Sequence, residues 1–184
     1  MAVALGCGGL VGGGGGALTA AGSVQPDGPS TPPVLPSQFP DGSDRYLPAV
    51  KVSDIADTWL KKANKWACED QNESGEHTIS GADHTLECTP TDDLKYDVLV
   101  RIEHDGEDQV RYVNASCSFK PGSRMCHTLF ATLADVLFLN RPELRKEAKV
   151  WGDKHADSDE TTTIGGIRMS ANLSPHELTC VADA

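Results

Sequence analysis

Residues 96–119 read YDVLVRIEHDGEDQVRYVNASCSF, and this stretch decides the fold. Tyr96, Val98, Val100 and Ile102 alternate with Asp97, Leu99, Arg101 and Glu103, a period of two that assigns one set of side chains to each face of a strand. Asp105-Gly106 is a turn signal. The return segment, 110–119, puts Val113, Ala115, Cys117 and Phe119 on a common face. The pattern predicts a hairpin of 95–104 with 110–119 that buries the face of Tyr96, Val98, Val100, Ile102, Val113, Ala115, Cys117 and Phe119. The other face carries Asp97, Leu99, Arg101, Glu103, Arg111, Tyr112, Asn114 and Ser116. An antiparallel sheet can leave such a face in water.

On the N-terminal side, Val52, Ile55, Ala56, Trp59, Leu60, Ala63 and Ala67 recur at helical spacing, which predicts a helix over 53–68 capped by Ser53 or Asp54. His77–Ser80 and His84–Cys88 flank Gly81-Ala82-Asp83 and read as a first hairpin. On the C-terminal side, Cys126, Leu129, Phe130, Leu133, Val136 and Leu137 form the apolar stripe of a helical region from Arg124 to Lys149. Pro142 interrupts that region and suits the first turn of a second helix. Thr161–Ala171 and Glu177–Ala182 read as a last hairpin about Asn172-Leu173-Ser174-Pro175. The expected class is α+β, an antiparallel sheet of about six strands with helices packed on one face.

The 184 residues suffice for one domain with a core, and the formal net charge of -11 argues against a basic grip on nucleic acid. Charge is unevenly placed. All 16 Lys and Arg lie from Arg45 onward, and residues 1–22 hold no charged side chain but nine of the 18 glycines. Seven of the 11 prolines follow between Pro26 and Pro48. Three regions are therefore expected: an apolar glycine-rich head (1–22) acting as membrane anchor or truncated signal, a proline-rich spacer (23–50), and a monomeric extracytoplasmic domain (51–184). A signal needs a basic segment ahead of its apolar run, which leads to the expectation that translation starts upstream of Met1. Ala4-Leu5-Gly6-Cys7 resembles a lipobox. The layout resembles small bacterial envelope proteins built as anchor, stalk and one domain.

An exported domain favours disulfides, and no CxxC pair suggests zinc. Cys117 points inward on its strand and Cys126 faces inward at the start of the next helix. Cys68 ends the first helix and Cys88 lies on the strand returning past it. The expected bridges are Cys68–Cys88 and Cys117–Cys126, leaving Cys180 as a buried thiol.

Motifs for catalysis or cofactors are missing: no G-x-S-x-G, S-x-x-K, HExxH, P-loop or dinucleotide signature occurs, so neither a cofactor nor a metal is expected. His77 and His84 would face each other across the first hairpin, a weak metal signal outweighed by ordinary polar surface. Two acidic runs, Glu69 to Asp93 and Asp153, Asp157, Asp159 and Glu160, read as solvated faces because neither matches a calcium loop. Arg101 and Tyr112, on the outward face of the hairpin, have the composition of anchors for a partner, a cell-envelope protein. The leading expectation is a non-enzymatic interaction or sensor domain outside the cell. The alternatives are a tethered or secreted enzyme whose site assembles from scattered residues, and a cytosolic module with reduced cysteines.

Overall fold

The computed structural model describes residues 45–71 and 78–183. The expected hairpin forms as β3 (Val98–His104) and β4 (Val110–Cys117), antiparallel, with Val100 opposite Ala115 and Ile102 opposite Val113. Val98, Val100, Ile102, Val113, Ala115 and Cys117 are all buried. Tyr96 is not: it closes a 3-10 turn (Asp93–Tyr96) and is 78% exposed. The Asp92 carboxylate accepts the Leu94 amide and winds this turn, which takes Tyr96 out of the pleat before the strand begins. Phe119, past the end of β4, is partly buried against the core.

Among the described residues five more strands flank this hairpin: β1 (Ala67–Asp70), β2 (His84–Thr89), β5 (Glu160–Ile164), β6 (Ile167–Leu173) and β7 (His176–Ala182). The seven form one antiparallel sheet in the order β1-β2-β3-β4-β7-β6-β5. Three local differences from expectation give this count. The first helix spans only Asp54–Ala63 and is wound with the i→i+5 bonding of a π-helix. Lys65 then takes a left-handed φ of 63° and the chain turns into β1, so Ala63 and Ala67 are exposed rather than on a buried face. Pairing with β2 overrides the helical periodicity there, with Cys68 directly opposite Cys88.

Second, Thr161–Ala171 is itself a hairpin. Gly165 and Gly166, at φ 53° and 80°, form a two-residue turn between Ile164 and Ile167, the conformation a tight hairpin requires of both central residues. Third, Thr78–Ser80 is no strand, and His77 lies outside the described residues. The Ile79 and Ser80 amides bind the Glu103 carboxylate instead of a neighbouring strand.

Helices α1 (Arg124–Val136) and α2 (Pro142–Lys154) fall where expected. The Ser123 hydroxyl caps α1 through the Met125 amide, and Pro142 opens α2. The helices share one core with one face of the sheet: Ile55, Leu60, Phe130, Leu133 and Phe138 pack among Val100, Ile102, Val113, Ile167, Met169 and Leu178. Residues 45–50 also pack on this unit, with Leu47 and Val50 buried and the Leu47 amide 2.7 Å from the Val110 carbonyl. Both expected disulfides, Cys68–Cys88 and Cys117–Cys126, are present, the first between two strands rather than from a helix end. Cys180 is buried and has no disulfide partner among the described residues. Among the described residues no helix is long and apolar enough to cross a membrane. The glycine-rich head and most of the spacer lie outside those residues.

Candidate recognition face

Helices pack on one face of the sheet, so the chemistry of the other is set by residues alternating with the core positions. Strand register lines them up in rungs. One rung runs Glu87, Arg101, Asn114, Thr179, Ser170, Thr161, and the next runs Thr85, Glu103, Tyr112, Val181, Arg168, Thr163. Cross-strand neighbours of this kind interact directly. Arg101 donates from Nε to the Glu87 carboxylate at 3.0 Å and from Nη2 to the same oxygen, keeping about a quarter of its side chain in solvent. The Asn114 amide donates to Glu177 at 3.0 Å and to Thr179 at 3.1 Å. The surface is thus a ladder of paired charges, an amide and hydroxyls, with Leu99 and Val181 half-exposed among them.

Of the two proposed anchors, Arg101 stands on this face as expected. Tyr112 is on the same face but only 8% exposed, bonded to Thr179, and burial pushes its phenol pKa up. Little of Tyr112 is therefore open to solvent on this face. Glu103 is a sharper surprise. Strict alternation puts it outward, yet it is 0% exposed. Its carboxylate accepts from the Ile79 amide at 2.9 Å, the Ser80 amide at 2.7 Å and the Ser80 hydroxyl at 2.6 Å, which fastens the chain entering β2 over that end of the sheet.

A second tie lies beside it. Asp105 accepts from Tyr46 at 2.8 Å, from Arg111 Nε at 2.6 Å and from the Asp83 amide at 3.0 Å. Burial alone would raise the Asp105 pKa, but these donors outweigh it and hold the carboxyl below its ordinary value. Arg111 continues to the Ser80 and Gly81 carbonyls. These ties fix the rim of the face.

His84 meets His104 across β2 and β3, the rings stacked 5.3 Å apart, and the expected partner His77 lies outside the described residues. Burial, and then the neighbouring His84, lower the His104 pKa. Among the described residues no group of three or more His, Cys, Asp or Glu side chains could hold a metal. The second acidic run is not simply solvated: Asp153 and Asp157 both engage His127. Sequence reading missed this because the partners sit 26 and 30 positions apart. The facing of α1 and α2 could have signalled it, since it brings the first turn of one to the last turn of the other. We find no match to the chain among protein-family models, curated proteins or solved structures.

Proposed function

We propose that this is an exported recognition or sensor domain, held at the cell surface by its apolar head and spacer, that binds a cell-envelope protein through the outward face of its sheet. The observation that carries the proposal is the pair of disulfides. Cys68–Cys88 fastens the edge strand β1 to β2, and Cys117–Cys126 fastens β4 to α1. Stable bridges of this kind belong to oxidising compartments. The face supports the recognition reading by its chemistry: Arg101 at its centre, Arg168 exposed on β6, and acceptors and hydroxyls between them offer several directional contacts on a rigid sheet.

The compartment is tested by trapping thiols in intact producing cells and mapping non-reduced peptides. Recovery of both bridges is expected, and alkylation of all four cysteines removes the exported reading. The face is tested with full-length protein carrying Arg101→Glu and Arg168→Glu. Loss of a partner captured by the wild type is expected, whereas equal recovery moves recognition elsewhere on the domain.

A further inference from the structure

Two loops meet at one end of the domain: 118–123 between β4 and α1, and 155–159 between α2 and β5. The contacts joining them need protons. His127, in the first turn of α1, points Nδ1 at Asp153 (3.2 Å) and Nε2 at Asp157 (2.7 Å). His176, at the start of β7 with 7% of its side chain exposed, points Nδ1 at the Phe119 carbonyl (3.2 Å) and Nε2 at the Ala156 carbonyl (2.7 Å). All four partners are acceptors. A neutral imidazole has one N–H, so in each ring one contact would set a lone pair against an oxygen; only the doubly protonated ring donates to both.

Asp157 joins the two rings. Its Oδ2 accepts from His127 and from the Gly122 amide at 2.7 Å. Its Oδ1 is buried with no hydrogen-bond partner among the described residues and stands 3.5 Å from His176 Nε2. We propose that His127 and Asp157, with His176 packed beside them, form an acid-closed latch, in which protonation of His127 clamps loop 118–123 onto loop 155–159 and loss of that proton releases it.

The surroundings agree. The charges facing the rings are Asp153 from the end of α2 and Asp157 from the loop beyond it. Arg124, on the first turn of α1, lines the same shallow depression as His127, Thr128, Gly122 and Asp153. Loop 118–123 contributes the Phe119 carbonyl and the Gly122 amide. His155 is engaged elsewhere, stacked on Trp151 and bonded to Ser158. The Asp157 hydrogen bond raises the His127 pKa against the opposing effect of burial. Burial opposes charge on Asp157, but the His127 and Gly122 donors outweigh it and keep the pKa low. The Cys117–Cys126 bond fixes the base of loop 118–123, so His127 acts on a loop whose ends are already held. Release would reshape the depression beside Arg124.

The Gly122 amide is the reporter, because it donates to Asp157. Its hydrogen-exchange protection factor is measured by NMR on the full chain between about pH 5.5 and pH 8.5, which brackets the ordinary histidine range. A fall of about tenfold or more is expected as pH rises, with core amides such as Ile102 unchanged. His127 is partly exposed, so His127→Gln spares the core and should give low Gly122 protection at both pH values. Asp157→Asn should do the same. Flat wild-type protection across the range overturns the latch, as does an unaltered pH dependence in both variants.

Discussion

Glu103 shows how a side chain can stand on the outward face of a sheet and still be buried, under a segment that folds over it. Its three donors come from Ile79 and Ser80, and replacing it with alanine leaves two amides and a hydroxyl without their acceptor. Hydrogen bonds to a charged group contribute roughly 1.5–3 kcal/mol each, so Glu103→Ala should cost about 2–3 kcal/mol after the freed groups rehydrate, read as a lowered urea midpoint. A variant of unchanged midpoint would mean that the 78–83 segment is held by Asp105 and Arg111 alone. Histidines titrate in opposing senses. The raised His127 pKa gives stability present below the ordinary histidine value and lost as pH rises through the folded one. The lowered pKa of Asp157 limits that window on the acid side, its share fading as pH falls through the folded carboxylate value. His104, with its lowered pKa, contributes stability present above the ordinary histidine value and lost as pH falls. Relative to wild type, His104→Gln should therefore gain in melting temperature between pH 7.5 and pH 5, while Asp157→Asn should lose. Melting curves at both pH values check the two signs. Neither role was legible in the sequence, because side-chain partners far apart in the chain leave no local period.

Elements with a strong period of their own were legible. The alternation of 98–104 and the stripe Cys126, Leu129, Phe130, Leu133, Val136 both survive in β3 and α1, each burying the face its spacing marks. Strand β1 was not, because Ala67–Asp70 has no alternation to announce it; its pairing with β2 and the Cys68–Cys88 bond decide its conformation. The turn Ile164-Gly165-Gly166-Ile167 did carry a readable hairpin signal, and taking 161–171 as one strand overlooked it. The α1–α2 contact supplies a prediction whose sign propensity gets wrong. In a helix interior Gly→Ala ordinarily gains about 1 kcal/mol. At Gly152 the added methyl would sit 2.8 Å from the Phe130 carbonyl and 3.1 Å from the Ala134 Cβ. Gly152→Ala should instead destabilise by about 1–3 kcal/mol, the usual cost of overpacking. A thermal melt decides between the two signs.

Across the whole molecule the cysteines divide cleanly. Burial pushes the Cys180 thiol far above its ordinary pKa, and the other four domain cysteines are bridged. Iodoacetamide should leave the native domain unlabelled, and after unfolding without reductant should label Cys180 alone of the five; labelling of Cys68 or Cys117 in that step would contradict the bridges. Closing each loop contributes roughly 3 kcal/mol in the chain-entropy model, so reduction should lower the urea midpoint substantially. The strand order has a kinetic consequence as well. Among the described strands, β1 to β4 pair in chain order and β5 to β7 pair in chain order, and the seam between these two runs is β4 against β7. Ala115 meets Leu178 across that seam, with both α1 and α2 and two strands threaded between them. Each run can zip up through short closures, whereas the seam must wait for a long one, and such late non-local closures set folding speed. The rate-limiting step of refolding then belongs to one junction: trimming Leu178 should slow the approach to the native state, while trimming Ile164 in the outer hairpin should mainly hasten its loss.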